Sequence, residues 1–104
     1  MIKGKLINAK TIHIDHPEAS YGIFCFNNQG DLFLNSDYGF FGFAWRSYGD
    51  NFQEFLAGLN ADYMVGKFEI NFAEVSGKRK MQPFRKEKLL LLCAEFIKEL
   101  KNGK

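Results

Sequence analysis

Two histidines and a carboxylate come together at one place in this chain, His13-Ile14-Asp15-His16. On an extended segment His13 and Asp15 fall on the same face. An imidazole beside a carboxylate is the pairing a general base uses, or, with further ligands, a bound metal. The surrounding sequence supplies no cluster to complete a metal set, and His16 precedes Pro17 at the start of a loop. The reading preferred here is exposed residues at a strand end. No serine or cysteine sits in a nucleophile elbow, and no glycine-rich loop at a strand-to-helix turn offers a phosphate cradle. Gly39-x-x-Gly42 falls inside a strand. Cys25 and Cys93 lie in apolar runs without the basic neighbours that lower a thiol pKa, and such residues behave as small hydrophobes. The residue types therefore predict a protein that is not an enzyme and takes no metal or cofactor.

Binding chemistry is better represented. Lys78, Arg79, Lys80, Arg85, Lys86 and Lys88 place six of the fourteen basic residues in one short segment, with only Glu87 opposing. Cations at a helix N-terminus work against the macrodipole, so helix stability does not explain them. The segment reads as a solvated loop and first helical turn, as a surface for an acidic protein, or as a contact for a nucleic-acid backbone. Tyr38, Arg46 and Tyr48 flank an aromatic strand and are predicted to form an exposed Tyr/Arg cluster, residue types favoured as interface anchors. Ring-capped sheet edges use the same residues.

The composition bounds these readings. With 104 residues, 46% apolar and 25% charged, the chain is expected to form one domain with a packed core. Twelve Phe, four Tyr and one Trp are enough rings to stabilise a small domain, with a surplus that could face a partner. A net charge of +2 is too small to argue for nucleic-acid binding by itself. No signal-peptide pattern opens the chain and no apolar run approaches membrane-spanning length. A cytoplasmic setting is expected, with no membrane partner.

The elements that must position these residues can be read from periodicity. Ile12 and Ile14 alternate with polar residues as a first strand, beginning late or with a bulge at Leu6-Ile7. Residues 20–27 form a second strand with Phe24 and Phe26 on one face and Tyr21, Ile23 and Cys25 on the other. Two apolar faces predict a central strand covered on both sides, or on one side by a partner, which opens the way to a homodimer. Asn27 to Asp31 makes a hairpin loop. Residues 31–36 return with Leu32 and Leu34 opposite Phe33. Asp37-Tyr38-Gly39 turns again, and Phe40 to Trp45 follows with Phe41, Phe43 and Trp45 on one face. Gly42 is expected where a helix or another backbone approaches.

Asp50-x-x-Gln53 suggests a capping box for a first helix, with Phe52, Phe55, Leu56 and Leu59 as its apolar stripe, ending near Asn60. A short helical turn is expected from Asp62 to Lys67, with Tyr63 and Met64 inward. The alternation over 68–75 then favours extended structure. Pro83 opens a final helix to Lys101, striped by Leu89, Leu92, Cys93, Phe96 and Leu100 and widened by Leu90 and Leu91. The predicted architecture is α+β: an antiparallel four-stranded meander followed by two or three helices packed on one face.

Gly30-Asp31-Leu32-Phe33-Leu34, Ser36-Asp37-Tyr38-Gly39, the aromatic strand closing on Trp45-Arg46, Gly49, Phe52-x-x-Phe55-Leu56, Leu59, Asp62-Tyr63 and Gly66-Lys67 together resemble small accessory proteins of bacteriophages and prophages, over residues 23–68. The resemblance implies a phage accessory gene product that acts by binding, for instance to a host protein or a component of bacterial defence. No catalytic residue comes with it.

Overall fold

The computed structural model describes residues 1–77 and 81–102. Four strands, β1 (Ala9–His16), β2 (Ser20–Asn27), β3 (Asp31–Ser36) and β4 (Gly39–Ala44), form one antiparallel sheet in sequence order. Three helices follow: α1 (Phe52–Ala57), α2 (Ala61–Ser76) and α3 (Pro83–Lys101). The α+β meander anticipated from periodicity is the observed fold. Leu6 and Ile7 stand exposed ahead of β1, so the strand begins late and has no bulge there.

Short loops force neighbouring strands to pair, and local chemistry fixes each turn. At the β2–β3 hairpin, the Asn27 side-chain oxygen accepts from the N–H groups of Gln29 (2.8 Å) and Asp31 (3.3 Å). Gly30 sits there at φ 94°, a conformation that disfavours any side chain. The Trp45 N–H donates to the Gly30 carbonyl (2.8 Å), carrying the β3–β4 ladder one pair beyond the strand ends. At the β3–β4 turn the buried Ser36 hydroxyl donates to the Gly39 carbonyl (3.0 Å) and accepts from the Tyr38 N–H (3.2 Å).

One face of the sheet is sealed. Ile14, Phe24, Phe26, Leu32, Leu34, Phe41 and Trp45 are buried beneath the helices. α3 packs on β1 and β2, α2 packs under β4, and α1 leans on α3. Leu89, Leu92, Cys93, Phe96 and Leu100 of α3 are buried as expected, with Ile97 beside them. Leu90 and Leu91 are half-buried against the same core, which widens the helix's apolar arc. The Phe24 and Phe96 rings lie stacked with centroids 4.1 Å apart.

Three local expectations are corrected. The N-cap of α1 is Asn51, not Asp50: the Asn51 side chain accepts from the Glu54 N–H (3.0 Å). Residues 68–75 are not extended. They continue α2, which starts at an Asn60 cap on Tyr63 (2.8 Å) and buries Met64, Val65 and Phe68 at helical spacing. Ile70, which strand alternation would place with Phe68, is exposed, and so is Tyr63. No helix lies against Gly42; the paired strand does, with its Phe33 ring 3.2 Å and its Leu32 main-chain carbonyl 3.3 Å from where a Cβ would stand.

The turn at Gly30 allows a direct check. A Cβ at this position would lie 1.9 Å from the Trp45 carbonyl oxygen, so backbone must move. Gly30→Ala is expected to cost on the order of 2–4 kcal/mol and lower Tm by more than about 10 °C. Thermal denaturation followed by circular dichroism measures it, and an unchanged Tm would contradict this account of the hairpin.

Candidate binding surfaces

The sequence-predicted residues divide between the two ends of β4. Tyr38 lies in the β3–β4 turn, while Arg46 and Tyr48 follow the opposite end. The predicted cluster of all three does not assemble. Arg46 and Tyr48 instead grip the β2–β3 hairpin. The Arg46 guanidinium donates to the Gln29 carbonyl (3.0 Å) and to the Asp31 carboxylate (3.3 Å). The Tyr48 hydroxyl donates to the Asn28 carbonyl. The Tyr48 ring meets Phe52 edge-on at 4.9 Å and is half-buried. Both residues hold the turn in place, and the exposed ion pair adds little stability of its own.

Tyr38 belongs to a different patch. Its ring meets that of Phe84, 6.2 Å away. Phe84 is the second residue of α3 and is 62% exposed. The Lys88 ammonium lies over the far part of this patch, 5.2 Å from the Phe84 centroid. Close by, the Arg85 guanidinium lies over Phe72 (5.4 Å) and Lys86 pairs with Glu69 (3.2 Å). Those two contacts tie the start of α3 to α2. Lys78, Arg79 and Lys80 lie outside the described residues. Phe84 was not among the predicted site residues, yet it is the exposed ring around which Tyr38 and Lys88 gather.

The sheet face away from the helices forms a second surface. In register across the strands, one row reads Thr11, Cys25, Phe33, Gly42 and the next His13, Ile23, Asn35, Phe40. Phe40 is 83% exposed and Phe33 55%. None of the outward strand positions is Lys or Arg; Lys10 points to the helix side and bonds Gln53 (2.7 Å). The central strand is therefore covered on one side only.

The histidine segment lies at the rim of this face. His13 approaches Asp15 at 3.3 Å with both side chains largely exposed. His16 turns away and accepts from the Glu18 N–H (3.0 Å). Among the described residues no group of three or more His, Cys, Asp or Glu is arranged to hold a metal ion. Cys25 and Cys93 are both free thiols. Cys25 is half-buried on the open face, whereas Cys93 is enclosed in the core, where burial pushes its thiol pKa well up.

A one-sided antiparallel sheet with an exposed ring patch at a helix start defines a small α+β protein built around surfaces. A family model described as a phage family, Phage_phiTE_072, matches residues 5–91. The chain belongs to that phage family. No curated protein and no solved structure matches the chain. Among the described residues no helix is long and apolar enough to cross a membrane.

The two thiols differ in a measurable way. A buried neutral thiol is a poor nucleophile, so Cys25 is expected to be alkylated in the native protein and Cys93 only on unfolding. Because the folded state holds the Cys93 proton more tightly than the unfolded chain does, stability falls once the pH rises above the ordinary thiol pKa. Peptide mapping after native alkylation tests the first point; rapid native labelling of Cys93 would contradict it.

Proposed function

We propose that this phage accessory protein acts by binding a protein partner, a host protein or a component of bacterial defence, and not by catalysis. The observation carrying this reading is the patch of Phe84, Tyr38 and Lys88. A phenyl ring left largely in water beside a tyrosine and a cation has the composition of an interface anchor. Cations at the start of α3 favour an acidic partner surface, because opposite charge steers encounter and selects partners. Lys78, Arg79 and Lys80 would extend that basic character along the chain. The setting is the bacterial cytoplasm. The patch also contains what single-stranded nucleic acid would use, a ring for stacking and cations for phosphates. The open sheet face, bare of Lys and Arg, offers a phosphate backbone nothing to continue onto, which favours the protein reading.

Affinity capture from host lysate, followed by titration with the purified partner, tests the proposal. Phe84→Ala alters an exposed position and Lys88→Glu a half-buried one outside the core, so the fold should persist and affinity should fall at least about tenfold. Two results would overturn the reading: no saturable protein partner, or a partner whose affinity ignores both changes. Salt-sensitive binding of a single-stranded oligonucleotide, lost in the same variants, would assign the patch to nucleic acid instead.

A further inference from the structure

Among the described residues no strand lies beside the outer edge of β4. Its backbone geometry follows from one hydrogen bond. The Trp45 N–H bonds the Gly30 carbonyl, which makes Gly30 and Trp45 a hydrogen-bonded pair of the β3–β4 ladder. Antiparallel ladders alternate, so Leu32/Phe43 and Leu34/Phe41 are the next such pairs. Phe40, Gly42 and Ala44 then turn their N–H and C=O groups away from β3, along the free edge.

Exposed edges are normally guarded by Lys, Pro, inward charge or a bulge. β4 reads Gly-Phe-Phe-Gly-Phe-Ala and carries none of these. A groove of about 390 Å³ runs along it, lined by every residue from Phe40 to Ala44, with Asp31 and Phe33 on the sheet side and Asn71 of α2 on the other. The edge strand itself carries no charge, while Asp31, paired with Arg46, lines the groove and the Lys67 ammonium of α2 lies over the Phe43 ring (5.3 Å).

We propose that this edge pairs with the same edge of a second copy, joining two sheets into one through antiparallel β4–β4 contact. Self-complementarity argues for this occupant. Placing a two-fold axis at Gly42 sets each Gly42 opposite its counterpart and each Phe40 opposite the partner's Ala44. About six main-chain hydrogen bonds then form between the outward groups. Exposed Phe40, the largest side chain on the outer side of this strand, meets the smallest side chain with a Cβ, and Gly42 leaves room at the axis. With no charged residue, β4 brings no like-charge repulsion against its own copy. Strand pairing over about 17 Å buries less than the roughly 1,200–2,000 Å² of tight complexes, so the dimer is weak and concentration-dependent. This inference does not rest on the Phe84 patch.

Sedimentation velocity over a concentration series, with hydrogen exchange of the amides, tests it. The wild-type mass should rise from one copy toward two, with protection of the Phe40, Gly42 and Ala44 amides rising in step. Phe40→Lys changes an exposed side chain, and Ala44→Pro removes an outward N–H that the monomer does not use. Each should raise the dissociation constant at least about tenfold. Ile23→Lys, in the middle of the open face, should leave the dimer intact. A protein that stays a single copy throughout overturns the proposal. So does a dimer that survives both edge variants, or one that only Ile23→Lys abolishes.

Discussion

The ring of Phe24 lies parallel to that of Phe96, at an interplanar angle of 3°. Phe24 is in the second strand and Phe96 well inside the last helix, so this contact closes the chain on itself. Phe26 meets the same Phe96 ring edge-on at 5.9 Å. Aromatic pairs of this kind add roughly 0.5–1.5 kcal/mol beyond the area they bury, a meaningful share in a small domain whose net stability is the small difference between large terms. Once α3 lies across β1 and β2 in this way, α2 has only β4 to cover and α1 fills the angle against α3. All three helices are then committed to one face. The open face, the free β4 edge and the exposed start of α3 all follow from where that helix is anchored.

How much of this is visible in sequence depends on which periodicity each segment carries. Phe24 and Phe26 against Ile23 and Cys25 is an unambiguous period of two, and Asn27, Gly30, Asp37 and Gly39 mark the turns. β2 and β3 accordingly end where the sequence places them. α2 is harder because Phe68, Ile70 and Phe72 also satisfy a period of two. The helical pattern emerges only when Met64 and Val65 are read together with Phe68. The decisive signal is Asn60, a strong cap residue that also reads as the end of the preceding helix. Asp50 and Asn51 are adjacent cap candidates, and which of them caps depends on backbone geometry that composition does not contain.

The candidate surfaces show the same division. Alternation alone sets Phe33 opposite Leu32 and Leu34, and Phe40 opposite Phe41 and Trp45, and the face they share is the open one. The pairing of Tyr38 with Phe84 joins a hairpin turn to a helix start distant in sequence, and no local rule predicts it. That Phe84 would be exposed was nevertheless readable. At 100° per residue it falls well away from the stripe of Leu89, Leu92, Cys93 and Phe96. Arg46 and Tyr48 illustrate the converse. Their residue types suggest an interface, but hydrogen-bond acceptors on the adjacent hairpin hold them against that turn.

The surfaces also differ in chemistry, and the difference bears on how one small protein can have more than one contact. The start of α3 is aromatic and cationic, suited to a partner that supplies negative charge. The β4 edge is uncharged main chain, suited to another strand. Rings exposed at both places cost the isolated chain favourable burial, and Trp45 adds a further cost. Its indole N–H is buried with no hydrogen-bond partner among the described residues, a penalty of about 1–3 kcal/mol. Its ring recovers part of this through edge contacts with Phe43 at 4.9 Å and Phe55 at 5.7 Å. Trp45 stays buried because its main-chain N–H and its ring join the β2–β3 hairpin to α1, and that junction adjoins Arg46 and Tyr48, which bond the same hairpin. The desolvation cost at Trp45 thus falls at the end of β4 that carries no exposed ring, while at the opposite end Phe40 faces outward and Tyr38 is half-buried beside it.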